Sequence, residues 1–483
     1  MKQGERSLSA RVLSGSAWII LTQGAILLLV FLAQRVILST LTKEANGTLF
    51  FERRMTDLIV GIIVDFGMNG IIIRKVAQQQ DRAPQIISSA IAFRLVLWFV
   101  ATFISVGYAF ASGYAVLDVV IWSFYLLIAA RTTMLRYAVE APYRTSSRFH
   151  VIGLLGVTDA MLFTALVYWM RESLNPFTVI CAYALSAIPG FTLLVLMDRG
   201  RYIRPSFVKW KEVVSLLKEA VPVISALALL SIHATLDTII LEAFGSQRDV
   251  GVLGAIYTSI GPFLVVLPQA VSLAVMPEIA RMALGDTQRR RDAVHTVLRL
   301  LVVSAVMMVS LAGPCMPLFI QLVSGGRYAG ETMQFYWFLW TAPLVAVMVF
   351  SQELTVAVGQ QRYNVWMAVG LLAFTILFGF ALIPMLHSFG AVLARLATVI
   401  AGAGISFVVL RRILDERIDL LFVVRCCVVV AASMGATTWL SANLNLGLAV
   451  ACSLGVALLT SFAMGLLRFD DVRFLQGLRS RVA

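Results

Sequence analysis

The sequence predicts an all-α protein that crosses a membrane many times. Of its 483 residues, 60% are hydrophobic and only 13% are charged, whereas a soluble domain carries about 25% charged residues. The apolar residues also come in runs of roughly 20, the length that spans the hydrocarbon core of a bilayer as a helix. Because no soluble fold can bury so many runs of this kind, the composition excludes a soluble helical protein.

Hydropathy along the chain predicts about 14 spans joined by short connections. The longest polar connection, 198–218, is too short for a folded soluble domain. Residues 1–11 are basic, but the apolar run after them is too long for a cleavable signal, so we expect the first helix to direct its own insertion. The predicted spans are 15–38, 50–73, 86–111, 115–138, 150–170, 176–197, 219–241, 250–277, 296–322, 332–358, 364–386, 389–410, 420–440 and 444–467.

The 39 Lys and Arg residues are unevenly shared between the connections. The N-terminus, the 199–218 connection and the C-terminal tail are rich in them, and an even number of spans places all three on one side. Positive connections remain in the cytoplasm, so both termini are predicted to be cytoplasmic. This distribution also explains most of the net charge of +13, and we expect no nucleic-acid partner.

Several basic residues instead fall inside or at the rims of the predicted spans. Charged groups in a bilayer are costly and need a protein or water partner, so they are functional candidates by default. Arg35 and Arg136 have a second explanation, because long side chains reach the membrane surface from a helix end. Arg395 lies among small residues, which suits close helix packing. The full set is Arg35, Arg53, Arg54, Arg94, Arg131, Arg136, Arg395 and Arg425.

Residues 218–281 predict two proline-bent spans with polar groups inside the first. His233 and Asp237 are four residues apart and therefore share a helix face. The pair suits a coupling proton, since His titrates near neutrality and burial raises the pKa of a carboxyl. A hydrogen bond between helices explains the same residues, and both interpretations also apply to Asp65 and Glu353.

Matching features recur about 200 residues apart, which indicates an internal repeat. Arg35 precedes Gly47 much as Asp237 precedes Gly251. A repeat unit of about six spans enters the membrane twice from the same side, so the two lobes are predicted to be parallel repeats, with two further C-terminal spans appended. The predicted divisions are an N-terminal lobe 1–198, a basic cytoplasmic linker 199–218, a C-terminal lobe 219–413 and an appended segment 414–483.

The sequence contains no motif for catalysis or metal binding. The five cysteines all lie in apolar runs without metal-ligand spacing, and no nucleotide-binding, hydrolase or metalloprotease motif stands in a suitable context. We therefore expect no enzyme, no catalytic residue and no cofactor, with H⁺ or Na⁺ coupling left open. A membrane glycosyltransferase, polymerase or ligase is the less favoured alternative, because it requires a large loop with clustered acids or histidines.

Several ordered motifs resemble those of the polysaccharide (O-antigen type) flippase family of the multidrug/oligosaccharidyl-lipid/polysaccharide (MOP) exporter superfamily. They are SGSAWIILTQGAILLLVFLAQRVIL in the first span, DFGMNGIIIRKVA (65–77), GGRYAG (325–330), VGQQRYN (358–364) and HSFGAVLARLAT (387–398). One departure is FFERRMTD (50–57), where the family is usually apolar. Either the helix begins after these residues, or their charges line a cavity.

The resemblance implies transport of an undecaprenyl-pyrophosphate-linked oligosaccharide across a bacterial cytoplasmic (inner) membrane, for O-antigen or other lipopolysaccharide-type synthesis. It implies alternating access between two lobes, with membrane lipids and a polymerase or glycosyltransferase as partners. Arg is suited to such cargo because its planar fork holds phosphate bidentately. The cationic-cavity candidates are Arg94, Arg131, Arg53 and Arg54, followed by Arg35 and Arg136. A cation/drug antiporter of the same superfamily is the alternative.

Each of these arginines also has a purely structural explanation. A buried acid can pair with it and hold two helices together, and Asp65, Asp159, Asp237 and Glu353 are available for that. Aromatic residues in the second half are explained either as anchors at the membrane surface or as platforms for sugar rings. They are Tyr257, Trp337, Trp340 and Trp366.

Overall fold

The computed structural model describes residues 2–111, 116, 136–146, 148–282, 287–360, 362–414 and 420–467. Within these ranges nearly every residue is helical and no strand is present. The chain divides into two compact units, Met1–Thr238 and Ile239–Ala483, which meet inside one helix. The predicted second lobe begins earlier, at residue 219, so the first unit also contains the linker and the helix that follows it.

The first unit contains eight helices in its described residues. Its core lies in two places, one around the first, sixth and seventh of them and one around the third to fifth. The helices are α1 Lys2–Thr40, α2 Lys43–Ile59, α3 Met68–Gln78, α4 Ala83–Ala111, α5 Tyr137–Thr145, α6 Phe149–Trp169, α7 Pro176–Asp198 and α8 Trp210–Phe244, the last shared with the second unit.

A break between α2 and α3 bends the second predicted span. The π-helical segment Val60–Asp65 follows α2 directly. The next two residues, Phe66 and Gly67, have left-handed backbone angles, with φ of 48° and 67°. A Cβ at Gly67 would stand 3.0 Å from a methyl carbon of Val223 on α8, so glycine is needed there for both conformation and space.

The second unit contains the end of α8 and eight further helices in its described residues. Its main core brings together side chains from most of them, including Leu298, Phe350 and Leu410. The helices are α9 Gln247–Met282, α10 Thr287–Ala312, α11 Met316–Ser324, α12 Thr332–Leu339, α13 Ala342–Ala357, α14 Arg362–Leu414, α15 Leu420–Asn443 and α16 Leu446–Ala463.

The helix α14 is long enough to cross a membrane twice. Its 53 residues contain one non-helical position, His387, with φ of 49° and ψ of −125°. This position separates the two spans predicted at 364–386 and 389–410. The turn is tight, because a Cβ at Gly390 would lie 2.3 Å from the Leu382 carbonyl oxygen.

Ten helices of the described chain are long and apolar enough to cross a membrane, or eleven if the pair Ala329–Leu339 and Ala342–Ala357, bent by 40°, is one span. Large apolar side chains such as Phe103 (82% exposed) and Trp169 (79%) point outward. A soluble surface rarely exposes patches of this kind, whereas lipid solvates them. The predicted polytopic all-α fold is confirmed. The span predicted at 115–138 lies almost wholly outside the described residues.

Candidate functional site

Arg94 on α4 is completely buried and holds two elements of the first unit together. Its Nη2 donates to Asp65 Oδ1 at 2.8 Å and to Asn69 Oδ1 at 2.6 Å, and the side chain has no exposed area. Asp65 ends the π-helical segment and Asn69 lies in the first turn of α3. The pair therefore fits the structural explanation, and Asp65 is accounted for as the partner of Arg94.

Arg136 belongs to a second network, which joins α5 to α6. Its Nε donates to Glu140 Oε1 at 2.8 Å, and its Nη1 contacts the carboxylate of Asp159. Arg144 also donates to Glu140, through Nη2 at 2.7 Å. Asp159 packs so closely on α7 that a Cβ at Gly190 would overlap its carboxylate. The positive charges of two arginines thus balance the negative charges of two carboxylates. A cavity of about 500 Å³ lies beside this network.

Arg53 and Arg54 lie inside α2, because this helix begins at Lys43, before the charged stretch. Arg53 Nη1 donates to the hydroxyl of Tyr183 at 2.8 Å, and its guanidinium is 5.0 Å from the centre of that ring. The ring of Tyr183 stacks on Phe163, with 4.0 Å between centroids. Arg54 lies over the ring of Phe50. Both arginines are half-buried, unlike Arg94.

The acidic neighbour of Arg53 does not neutralise it tightly. Asp57 is 3.9 Å away and its side chain is 57% exposed, against 39% for Arg53. The half-buried guanidinium thus donates to a phenol and packs on its aromatic ring. A guanidinium at such a position can bind an anion, since arginine holds oxyanions bidentately.

The remaining predicted site residues are dispersed. Arg35 is exposed on α1, and Glu353 is exposed on α13. His233 and Asp237 are both buried on α8, and Asp237 Oδ1 accepts a 2.8 Å hydrogen bond from the Thr238 backbone. Arg131 lies outside the described residues.

Arg395 and Tyr257 form a contact in the second unit that the sequence pattern did not predict. Arg395 Nε on α14 donates to the Tyr257 hydroxyl on α9 at 2.5 Å, with the guanidinium 5.4 Å from the ring centre. Phe338 meets the same ring edge-on. Residues 138 positions apart in sequence give no local signal of such a pair. Trp340, an expected surface anchor, is buried, whereas Trp366 is exposed.

A further set of contacts, also missed in the sequence, fixes the start of α8. Lys75 Nζ and Arg74 Nη2 lie 2.8 Å and 2.5 Å from the two carboxylate oxygens of Glu219, and Arg82 pairs with Glu212. The hydrogen bond from Lys75, with the charges of Lys75 and Arg74, lowers the pKa of Glu219. Among the described residues, no group of His, Cys, Asp and Glu is arranged to hold a metal ion.

No family model and no curated protein matches the sequence, but solved structures match its fold. An inward closed conformation of the lipid II flippase MurJ superposes with a TM-score of 0.71 at 11% identity, covering 94% of this chain and 99% of that one. An inward-facing multidrug resistance MATE family transporter of the MOP superfamily gives 0.65 at 13%, covering 80% and 94%. A MOP superfamily transporter from Pyrococcus furiosus gives 0.61 at 14%, covering 84% and 96%.

The chain has the fold of the MOP transporters. The likeness confirms the predicted architecture of a multi-pass all-α membrane protein. At these identities it concerns the fold alone, and the structures that share the fold include both a flippase and multidrug transporters. Membership of the MOP superfamily and of its polysaccharide branch, the cargo and the site residues therefore remain predictions.

Proposed function

We propose that the chain is a flippase that moves an undecaprenyl-pyrophosphate-linked oligosaccharide from the inner to the outer leaflet of a bacterial cytoplasmic membrane. The observation that supports this proposal best is the half-buried Arg53, held over the Tyr183 ring inside a membrane-spanning helix. A MOP fold that includes a protein named a lipid II flippase adds support.

The chemistry of the cargo matches what this position offers. A pyrophosphate needs cations that remain charged inside the membrane, and the guanidinium group holds its proton strongly and binds oxyanions bidentately. Arg54 adds a second cation one residue away. The ring of Tyr183, which stacks on the buried Phe163, holds the guanidinium of Arg53 in place. In this proposal Arg53 and Arg54 bind the cargo, with exposed Arg35 on the neighbouring α1 as a further cation.

Arg94 and Arg136 have a different part in the proposed mechanism. Both are paired with acids that join one helix to the next, so they hold the first unit together while the cargo moves. Arg131 remains a cargo-binding prediction. Asp237 and His233 are the coupling candidates, since two titratable side chains are buried one turn apart on α8, and H⁺ or Na⁺ is the coupling ion to be tested.

Transport of this kind neither makes nor breaks a covalent bond, so the chain is proposed to be a transporter and not an enzyme. Its termini are placed in the cytoplasm by the positive-inside distribution. A polymerase and glycosyltransferases that supply and use the cargo are the proposed partners.

The alternative function is cation or drug antiport. This chain shares its fold with a multidrug resistance MATE family transporter.

The test uses purified protein in liposomes that contain a fluorescent polyprenyl-pyrophosphate-linked sugar. A membrane-impermeant quencher measures the fraction exposed on the outside over time. We expect the wild-type chain to equilibrate the lipid, and R53A/R54A to slow the rate at least tenfold, because each guanidinium–phosphate contact contributes about 1.5–3 kcal/mol.

The matched control is R411A/R412A, which removes the same charge from exposed positions at the end of α14. Its rate should stay within a factor of two of the wild-type rate. Cation-driven efflux of an organic cation without lipid movement would contradict the proposal and favour the antiporter. An unchanged lipid rate in R53A/R54A would remove Arg53 and Arg54 from the mechanism.

A further inference from the structure

A second cavity of the first unit, which Arg53 does not line, lies where several of its helices end. Its volume is about 670 Å³, which is within the range of ligand pockets and well above the size of a single phosphate ion. We call it the helix-end cavity. Its lining residues are Val76, Gln80, Asp81, Ala83, Pro142, Tyr143, Thr145, Ser146, Arg148, His150, Val151, Met197, Asp198, Arg201 and Tyr202.

One wall of the helix-end cavity is the linker after α7, and it is held firmly in place. The buried carboxylate of Asp198 accepts hydrogen bonds from the backbone N–H groups of Tyr202, at 3.1 Å, and Ile203, at 3.2 Å. Buried Ser88 on α4 donates to the Tyr202 carbonyl at 2.7 Å and accepts from the Arg204 backbone N–H at 3.2 Å. These hydrogen bonds therefore fix the backbone that positions Arg201 and Tyr202.

Two arginines of the cavity lining are open to a ligand. Arg148, Arg201 and His150 line it with exposed side chains. Asp198 is occupied by the linker backbone, which leaves Asp81 as the accessible acid. The phenol of Tyr143 lies among these groups: burial raises its pKa, Asp198 raises it further, and Arg148 and Arg201 act in the opposite direction. Arg148 and Arg201 therefore reach the same small volume.

The position of the cavity near the ends of membrane spans indicates which kind of ligand it can bind. Val76, Val151 and Met197 lie within about one turn of the ends of spans at Gln78, Phe149 and Asp198. A ligand in the cavity thus meets both apolar side chains and arginines. By the positive-inside rule this end of the first unit faces the cytoplasm, where anionic headgroups are attracted to basic pockets between helices.

We propose that the helix-end cavity binds the anionic, phosphate-bearing headgroup of a lipid in the cytoplasmic leaflet, with Arg148 and Arg201 as the phosphate ligands. Two lipids present this chemistry, an anionic phospholipid and a polyprenyl pyrophosphate. The site is separate from Arg53 and does not depend on the proposed flippase function.

The test is lipid binding to the full chain in detergent, measured by native mass spectrometry. The probes are phosphatidylglycerol, undecaprenyl pyrophosphate and phosphatidylcholine, with glycerol phosphate and inorganic pyrophosphate as soluble competitors. We expect one of the two anionic lipids to bind at least tenfold more tightly than phosphatidylcholine. R148A/R201A should lose that preference, since a charge-assisted contact contributes about a factor of ten. Whichever lipid responds identifies the source.

R411A/R412A again controls for the loss of two positive charges, and it should retain the preference. R148K/R201K keeps both charges but removes the planar guanidinium groups that hold phosphate bidentately. A variant whose unfolding temperature matches that of the wild type should bind with intermediate affinity. Anionic lipid binding that is equal in R148A/R201A and the wild type would overturn the proposal. Displacement of the lipid by soluble pyrophosphate at equal concentration would also overturn it, because the ligand would then be a soluble anion.

Discussion

At the scale of single residues, the described arginines in and near the membrane fall into two kinds. Arg94 is buried and meets an acid and an amide at hydrogen-bond distance, whereas Arg53 is half-buried and meets a phenol. A buried pair costs a great deal when one partner is removed, because the other charge is left without compensation. A half-buried guanidinium lies within reach of an external anion. The same residue type is thus structural in one position and a ligand candidate in the other.

We expect R94A to destabilise the protein by about 3 kcal/mol, because Asp65, whose side chain is only 20% exposed, is left charged without its partner. R94A/D65A should recover much of the loss, since it removes both charges. The measurement is the unfolding midpoint in detergent. Arg35→Ala is the control, because that side chain is exposed and its loss should cost less than 0.5 kcal/mol. A double variant no more stable than R94A would contradict the pairing.

At the scale of helices, the sequence predicted where the membrane spans lie, but it did not predict which side chains contact each other. A run of roughly 20 apolar residues is a local signal, and the described spans lie in helices, down to the break at His387. The partner of Arg94 was one of several available acids, and distance along the chain does not choose among them. Glu212 meets Arg82 across 130 positions, and only tertiary packing brings such residues together.

The contacts at the start of α8 predict a pH-dependent attachment of this helix to α3. The folded-state pKa of Glu219 is lowered, chiefly by the hydrogen bond from Lys75. A lowered carboxyl pKa contributes stability that is present above the unfolded-state pKa and is lost as pH falls through the folded-state value. The attachment should therefore hold at neutral pH and loosen below the usual carboxyl range.

Spin labels at Q78C and K211C, both exposed positions near this contact, measure the attachment as a distance distribution in a cysteine-free background. The distribution should be narrow at neutral pH and broaden on acidification. E219Q should be broad at both pH values, because the charge is absent. E172Q alters an exposed acid in the turn before α7 and should behave like the parent. A pH response that persists unchanged in E219Q would assign it to another group.

At the scale of the whole molecule, the remaining question is orientation, because every functional assignment uses it. The predicted cytoplasmic side has most of the 39 basic residues, and the same side contains the basic linker 199–218 and the helix-end cavity. Two parallel repeats, each with an even number of spans, require corresponding connections of both units to face the same side. Orientation and repeat symmetry can thus be tested together.

Single cysteines at four exposed positions, in a variant without the five native cysteines, provide that test. In intact cells a membrane-impermeant maleimide should label R171C and R248C, which lie in connections predicted to be outside. K211C and R411C should be labelled only after the membrane is permeabilised, because the positive-inside rule keeps these basic connections in the cytoplasm. Complete reversal would move the helix-end cavity to the outer leaflet. Labelling of R171C without R248C would preserve the orientation of the first unit and contradict the parallel repeat, since the two units would then enter the membrane from opposite sides.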